Sequence, residues 1–299
     1  MEAIEMDIID HLPSIVSVLI IIIALLVAYF RRYSFTLAIL ISNFIIFFIY
    51  TLFPAVMNAD LAFSPVYLHH SQYRIYTVVT TMFLHANLSH ILGNMITLFF
   101  LGIPFERRIG WKKFLLIYFI SGIGGSIVFS IVNPGPFILV GASGAIFGLL
   151  GAFASAYPFD EIVMPLPVFF IAFLTRIKVL YAAIFFGLFE FLFVLLSYGY
   201  DNIAHLAHVG GLVTGVVLSF ILLREKSRRI RVLEFRDITE LSTPQNRQII
   251  ERVRFESIPE IKIEWLKKLA KESKCPYCGG KLREREEGLY CRRCGVIFR

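Results

Sequence analysis

The chain has 299 residues, of which 57% are hydrophobic and only 17% charged, with a formal net charge of +7. A mean hydropathy of +0.73 excludes a soluble globular domain and a disordered, highly charged scaffold alike. The composition is that of a polytopic membrane protein.

Crossing about 30 Å of hydrocarbon takes roughly 20 apolar residues in a helix. Runs of that order occupy 14–30, 35–53, 86–103, 114–132, 139–157, 179–199 and 203–223, predicting seven spans and an all-α polytopic fold. A shorter run, 162–174, contains Pro165 and Pro167 and predicts an interfacial or re-entrant piece. With seven spans, Arg31, Arg32, Arg107, Arg108, Lys112, Lys113, Arg176, Lys178 and the tail from Arg224 share one side, against Arg74 on the other. Lys and Arg favour the cytoplasmic side, which predicts a multi-pass protein of the cell membrane with its N-terminus outside and its tail cytoplasmic. The first residues carry Glu2, Glu5, Asp7 and Asp10 rather than the basic start of a signal peptide, so the first run reads as a true span.

Segment 14–30 is almost pure Ile, Leu and Val and predicts an added, lipid-facing helix. Segment 35–53 has Ser42 and Asn43 as interior polar groups, expected to make structural hydrogen bonds. The connection 54–85 is long, aromatic and expected to be partly immersed in the outer leaflet, with His69 and His70 a solvated pair. The next span opens on a polar sequence, His85 to Asn94. His90 and Asn94 are four apart and share one helix face. Polar side chains are costly in hydrocarbon, so they should face protein or a water cavity, where interhelical hydrogen bonding is the competing structural use.

Segment 139–157 carries Gly141-Ala142-Ser143-Gly144, and Gly144, Gly148 and Gly151 form a stripe of small residues. A matching pair, Gly211 and Gly215, lies in the last span, so these two helices should pack closely. His208 stands three residues before Gly211 and is placed to reach Ser143 across that contact; His205, one turn earlier, should shape the pocket. Glu190, within 179–199, is a buried acid whose partner the sequence does not name.

After Leu223 the composition turns charged, with 20 Lys and Arg against 12 Asp and Glu over 224–299. Stretches 226–240 and 247–273 predict amphipathic helices. Cys275, Cys278, Cys291 and Cys294 form two Cys-x2-Cys pairs, the spacing of a zinc ribbon. Four thiolates fill a tetrahedral sphere, so the Zn2+ would be structural, and a reducing compartment disfavours disulfides. The basic balance suits a protein or anionic-lipid partner better than nucleic acid. The expected organisation is an N-terminal segment with the extra span (1–34), a membrane core (35–223), a helical linker (224–273) and the ribbon (274–299).

A serine hydroxyl becomes a nucleophile when a base takes its proton, and a neutral imidazole suits that task near pH 7. Ser143 and His208 form such a pair, with His90, Asn94 and the Ser143 N–H as donors for the oxyanion. The motifs His85-x4-His90-x3-Asn94, Gly141-x-Ser143-Gly144 and Ala207-His208-Val209-Gly210-Gly211, in this order on separate spans, resemble the rhomboid family of intramembrane serine proteases. Glu106-Arg107 is similar to that family's charged turn, and the resemblance covers about 35–223.

The resemblance implies a six-helix core with the N-terminal span added. It implies Ser143 as nucleophile, His208 as general base and acid, and His90 and Asn94 lining an oxyanion pocket that includes Gly141 and His205. His85 would hold the helix start, no cofactor would serve catalysis, and the substrates would be single-span membrane proteins cut near the outer face, at small or helix-weakening residues. Where the family often carries Trp-Arg, this chain has Tyr76-Thr77, with Arg74 three residues early, a departure that bears on loop conformation. The competing functions are a catalytically silent rhomboid-like protein that captures membrane clients and a transporter using the intramembrane histidines and Glu190. The retained Ser143 and His208 argue against the former, and the lack of paired discontinuous helices against the latter.

Overall fold

The computed structural model describes residues 9–168, 171–196, 204–223, 235–285, 288–291, 293–294 and 296–299. The chain divides into two compact units, Met1–Arg224 and Glu225–Arg299.

Among the described residues of the first unit, six helices are long and apolar enough to cross a membrane: α1 (Leu12–Arg31), α2 (Phe35–Leu52), α4 (Leu88–Ile109), α5 (Trp111–Val132), α7 (Val179–Leu196) and α8 (His205–Leu223). Between α2 and α4 lies the short α3 (Pro54–Leu61), and between α5 and α7 the 14-residue apolar α6 (Ser143–Ala156). Following the alternation, the starts of α4, α6 and α8 and the end of α7 lie at one end of the bundle. Only 17% of α1 is buried, against 39% for α2, α5 and α8, as suits a helix added at the periphery.

Local chemistry sets the helix ends. Glu106, near the end of α4, accepts from Ser34 Oγ at 2.6 Å, Phe35 N at 2.8 Å, Thr36 N at 2.9 Å and Thr36 Oγ1 at 2.7 Å. One carboxylate thus satisfies the otherwise unpaired first turn of α2, where the helix dipole also favours negative charge. Gly110, at φ +81°, separates α4 from α5. Within α2, Ser42 Oγ and Asn43 Nδ2 both donate to the carbonyl of Ile39.

The structure refines the sequence reading in three places here. The run 162–174, too short and proline-containing for a span, belongs to an antiparallel hairpin, β1 (Glu161–Val168) paired with β2 (Ile171–Lys178). Pro165 and Pro167 are compatible with it because a two-stranded ribbon consists only of edge strands. The connection 54–85 is an ordered one. It contains α3, short 3-10 turns and a helical turn at Thr77–Thr80, and it buries Met57, Leu61 and Phe63. Segment 139–157 is not helical from its start: Leu139 forms an isolated antiparallel bridge with Phe63, and the helix begins only at Ser143. The predicted start of the last span, Asn202 and Ile203, lies outside the described residues, and α8 begins at His205.

In the second unit, β3 (Phe235–Arg236), β4 (Leu282–Arg285), β5 (Gly288–Cys291) and β6 (Ile297–Phe298) form a sheet of order β3-β6-β5-β4. Helices α9 (Arg247–Phe255) and α10 (Pro259–Glu272) accompany it, and Ile238, Ile250, Val253, Leu266 and Leu269 share one core with Leu282, Leu289 and Phe298. One expectation is corrected. A helix over 226–240 is not present where that stretch is described: 235–236 is a strand and Ile238–Leu241 a 3-10 turn, while 226–234 lies outside the described residues. The core residues lie on both sides of residue 273, so α9 and α10 pack in one cluster with the C-terminal sheet.

Candidate active site

The polar residues singled out in the sequence gather at the end of the bundle where α4, α6 and α8 begin. Gly141 adopts φ +125°, which favours glycine. Its N–H donates to Thr81 O at 3.0 Å, and Thr81 Oγ1 donates to Leu139 O, so the 3-10 turn Thr81–Phe83 holds the extended lead-in. Ser143 is then the first residue of α6, where the first N–H groups of a helix have no intrahelical acceptor.

Ser143 Oγ lies 2.7 Å from His208 Nε2. Glycines on α8 permit that approach. A Cβ on Gly211 would overlap the carbonyl of Gly144, and one on Gly215 that of Gly148. The α6 glycines differ among themselves: a Cβ on Gly144 would meet Ala207 O at an ordinary 3.4 Å, whereas one on Gly148 would overlap the Ser121 side chain of α5. Phe147, one turn after Ser143, stacks on the His208 ring at 4.8 Å and 8°.

The other two histidines and Asn94 form a second group. Asn87 caps α4 by accepting from His90 N at 2.9 Å. Asn94 Nδ2 lies 2.9 Å from His85 Nε2, and the His85 and His90 rings meet edge-on at 4.9 Å. A Cβ on Gly141 would stand 2.6 Å from His90 Nε2 and 3.6 Å from Asn94 Nδ2, so both side chains face the Gly141 backbone, two residues from Ser143. His85 is fully buried, and burial, with the charge of His90 second, holds its pKa down to about 3. An amide nitrogen only donates, so His85 Nε2 accepts and the proton of this neutral ring sits on Nδ1. Beside the serine lies a cavity of about 30 Å³, lined by Met82, Gly122, Ser126, Gly141, Ser143 and Ala207 among others.

Two contributors were not legible beforehand. Phe147 follows Ser143 at i+4, a spacing that places it on the same face. Glu190 has both neighbouring histidines as partners: its Oε2 is 2.5 Å from His205 Nδ1 and 2.9 Å from His208 Nδ1, the second approach too oblique for a straight hydrogen bond. These are hydrogen-bond lengths; two ligands on a tetrahedral Zn2+ at about 2.0–2.1 Å would stand about 3.3 Å apart. In the loop, Arg74 lies over the Tyr67 ring at 4.5 Å and Tyr76 Oη donates to Asp60 O at 2.8 Å, while His69 and His70 are exposed.

In the second unit, Cys275, Cys278, Cys291 and Cys294 bring their Sγ atoms within 4.8 Å of one another. Cys275–Cys294 and Cys278–Cys291 are each 3.4 Å apart. Thiolates at about 2.3 Å from a tetrahedral Zn2+ stand about 3.8 Å apart, so the four residues fit such an ion.

A multi-pass helical membrane protein whose bundle joins a serine, histidines and an asparagine at one end is the class these features define. The Rhomboid domain matches residues 72–225, and the chain belongs to the rhomboid family. It is similar to RHOMBOID-like protein 1 of Arabidopsis thaliana, 37% identical over 155 residues, 51% of this chain and 36% of that protein. It is similar also to the "Putative rhomboid protease YdcA" of Bacillus subtilis (strain 168), 34% identical over 153 residues, 51% of this chain and 69% of that one. Rhomboid-like protease 3 of Toxoplasma gondii is 35% identical over 100 residues, 33% of this chain and 36% of its own. The match therefore spans about a third of the Arabidopsis and Toxoplasma relatives.

Proposed function

We propose that this protein is an intramembrane serine endopeptidase that cleaves single-span membrane proteins with Ser143 as nucleophile and His208 as general base. The observation that carries the reading is the 2.7 Å contact of Ser143 Oγ with His208 Nε2 across two glycine-packed helices. The Ser143 hydroxyl attacks the peptide carbonyl carbon while its proton passes to His208 Nε2. The oxyanion is met by the free N–H groups opening α6, with His90 Nε2 and the second N–H of Asn94 beside Gly141, a donor typically contributing about 3 kcal/mol. His85 holds Asn94 in place by taking its other N–H. Collapse expels the amine with the proton from His208, and water then releases the acyl group by the same route reversed. The reaction needs no cofactor.

The cavity of about 30 Å³ beside Ser143 admits little more than a methyl group, which supports small residues at the scissile bond. Segments weak in helix propensity expose their carbonyls at lower cost. The distribution of Lys and Arg supports a cytoplasmic tail, an outside N-terminus and cleavage near the outer face of the cell membrane. In the tail, the four cysteines would hold a structural Zn2+, with no position left for catalysis. Five lysines, Lys267, Lys268, Lys271, Lys274 and Lys281, line a cleft with Trp265, Glu264 and Glu284, with Lys267 paired to Glu264; the net positive lining supports a protein or lipid partner.

The test is incubation of the full-length protein in detergent or proteoliposomes with a panel of single-span membrane substrates. Cleavage should disappear in Ser143→Ala and His208→Ala. A chain in which both variants still cleave does not work by this pair, and a wild type that binds clients without cutting any is a client-capturing protein instead.

A further inference from the structure

We infer that Glu190 on α7 is the positioning residue of His208, making the site a Ser143–His208–Glu190 relay with His205 as a second anchor. The inference rests on the protease reading above and extends it by one residue. Glu190 is the single charged residue of Val179–Leu196 and is only 7% exposed. An ionised carboxylate in a membrane-buried helix persists only where partners repay its desolvation. Here the repayment comes from both histidines of α8, His205 Nδ1 at 2.5 Å and His208 Nδ1 at 2.9 Å, on the same oxygen.

The arrangement assigns the protons. A carboxylate only accepts, so Glu190 beside His208 Nδ1, though obliquely placed, favours the hydrogen on that nitrogen and leaves Nε2 with its lone pair toward Ser143 Oγ. That is the tautomer a general base needs, and the other tautomer would set an N–H against the hydroxyl. When His208 takes the serine proton, Glu190 faces the new imidazolium from the opposite edge of the ring and stabilises it without receiving a proton. His205 anchors the same Glu190 oxygen, and Phe147 on one ring face restricts His208 to rotation in its own plane.

A simple brace between α7 and α8 would use the same contacts, so the test separates the two roles. Full-length wild type, Glu190→Gln, Glu190→Asp and Ser143→Ala are purified in detergent and matched by thermal unfolding. Each is assayed for kcat and KM on one fluorescent single-span polypeptide and for the rate of labelling by a fluorophosphonate, which reports serine activation without any substrate helix. Glutamine keeps an acceptor and the volume but offers an amide that tolerates the wrong tautomer. The expected result is a loss of about 10²-fold or more in kcat and in labelling rate with KM within about threefold of wild type. Glu190→Asp should recover at least about tenfold over Glu190→Gln, since it restores the charge. Three results overturn the assignment: Glu190→Gln within about threefold of wild type, Asp no better than Gln, or rates that fall only as far as the melting temperature does. Cleavage by Ser143→Ala fails the protease reading itself and the relay with it.

Discussion

Substituting Gly211 by Ala tests whether the glycines of α8 set the distance on which the site depends. A Cβ there would lie 2.8 Å from the carbonyl carbon of Gly144 and 3.1 Å from its Cα, with the carbonyl oxygen closer still. Carbon atoms in good contact stand about 3.5–4.0 Å apart, so the helices must separate locally by on the order of 1 Å. No flexible side chain can yield in its place, because the obstacle is backbone. Gly144 adjoins Ser143 and Gly211 lies one turn beyond His208, so the separation falls on the 2.7 Å contact between Oγ and Nε2. Widened by that amount, it no longer transfers a proton, and the general-base contribution of about 10²–10⁴-fold is forfeited.

The overpacking should cost about 1–3 kcal/mol of stability, leaving most molecules folded. Gly144→Ala is the internal control. Its Cβ would meet Ala207 O at 3.4 Å, so the same methyl on the opposite helix should lower kcat/KM by less than about tenfold. The two variants are compared for substrate cleavage, fluorophosphonate labelling and thermal unfolding. Equal losses at 144 and 211, or a fully active Gly211→Ala, would show that the contact does not set the catalytic distance and refute the reasoning.

Three further outcomes follow from other parts of the molecule. Glu106→Ala leaves four donors of the first turn of α2 without their carboxylate and should destabilise the membrane unit by about 3 kcal/mol, read by thermal unfolding, with Glu106→Gln intermediate. His85 stays neutral in the folded protein down to about pH 3, whereas the unfolded chain takes up a proton near pH 6.5. Stability attributable to it is therefore lost as pH falls from about 6.5 towards 3, by up to about 1.4 kcal/mol per pH unit, and melting curves of His85→Gln should flatten in that window; parallel curves would remove the buried neutral imidazole from the account. Cys275→Ser and Cys291→Ser should each lose the zinc of the purified protein by elemental analysis and leave 235–299 open to proteolysis, because the core of that unit includes Cys275 and Cys291; unchanged zinc content would refute the ribbon.

What the sequence disclosed depended on whether a residue's role is local. Glycines four apart announced the close helix contact, and the two Cys-x2-Cys pairs announced four sulfurs brought together, because spacing carries the geometry. The start of α6 at Ser143 could not be read in that way. It is imposed by Phe63 and Thr81, distant residues that hold Leu139 and Gly141 extended, while the local apolar run continues through them. The hairpin at 161–178 was not legible for a related reason: length and prolines excluded a span without saying what replaces it.

Glu190 is the instructive case. Its cost in hydrocarbon marks it as partnered, but α7 is apolar on every face, so no pattern in its own sequence fixes which side turns towards α8. The rotation of α7 is set by packing, and on that rotation depends whether the carboxylate meets lipid-facing side chains or the Nδ1 atoms of His205 and His208. Once it meets them the logic reverses. A lone acid on an otherwise featureless helix is costly wherever the helix rotates outward, so Glu190 itself selects the inward orientation and thereby presents α7 to the site.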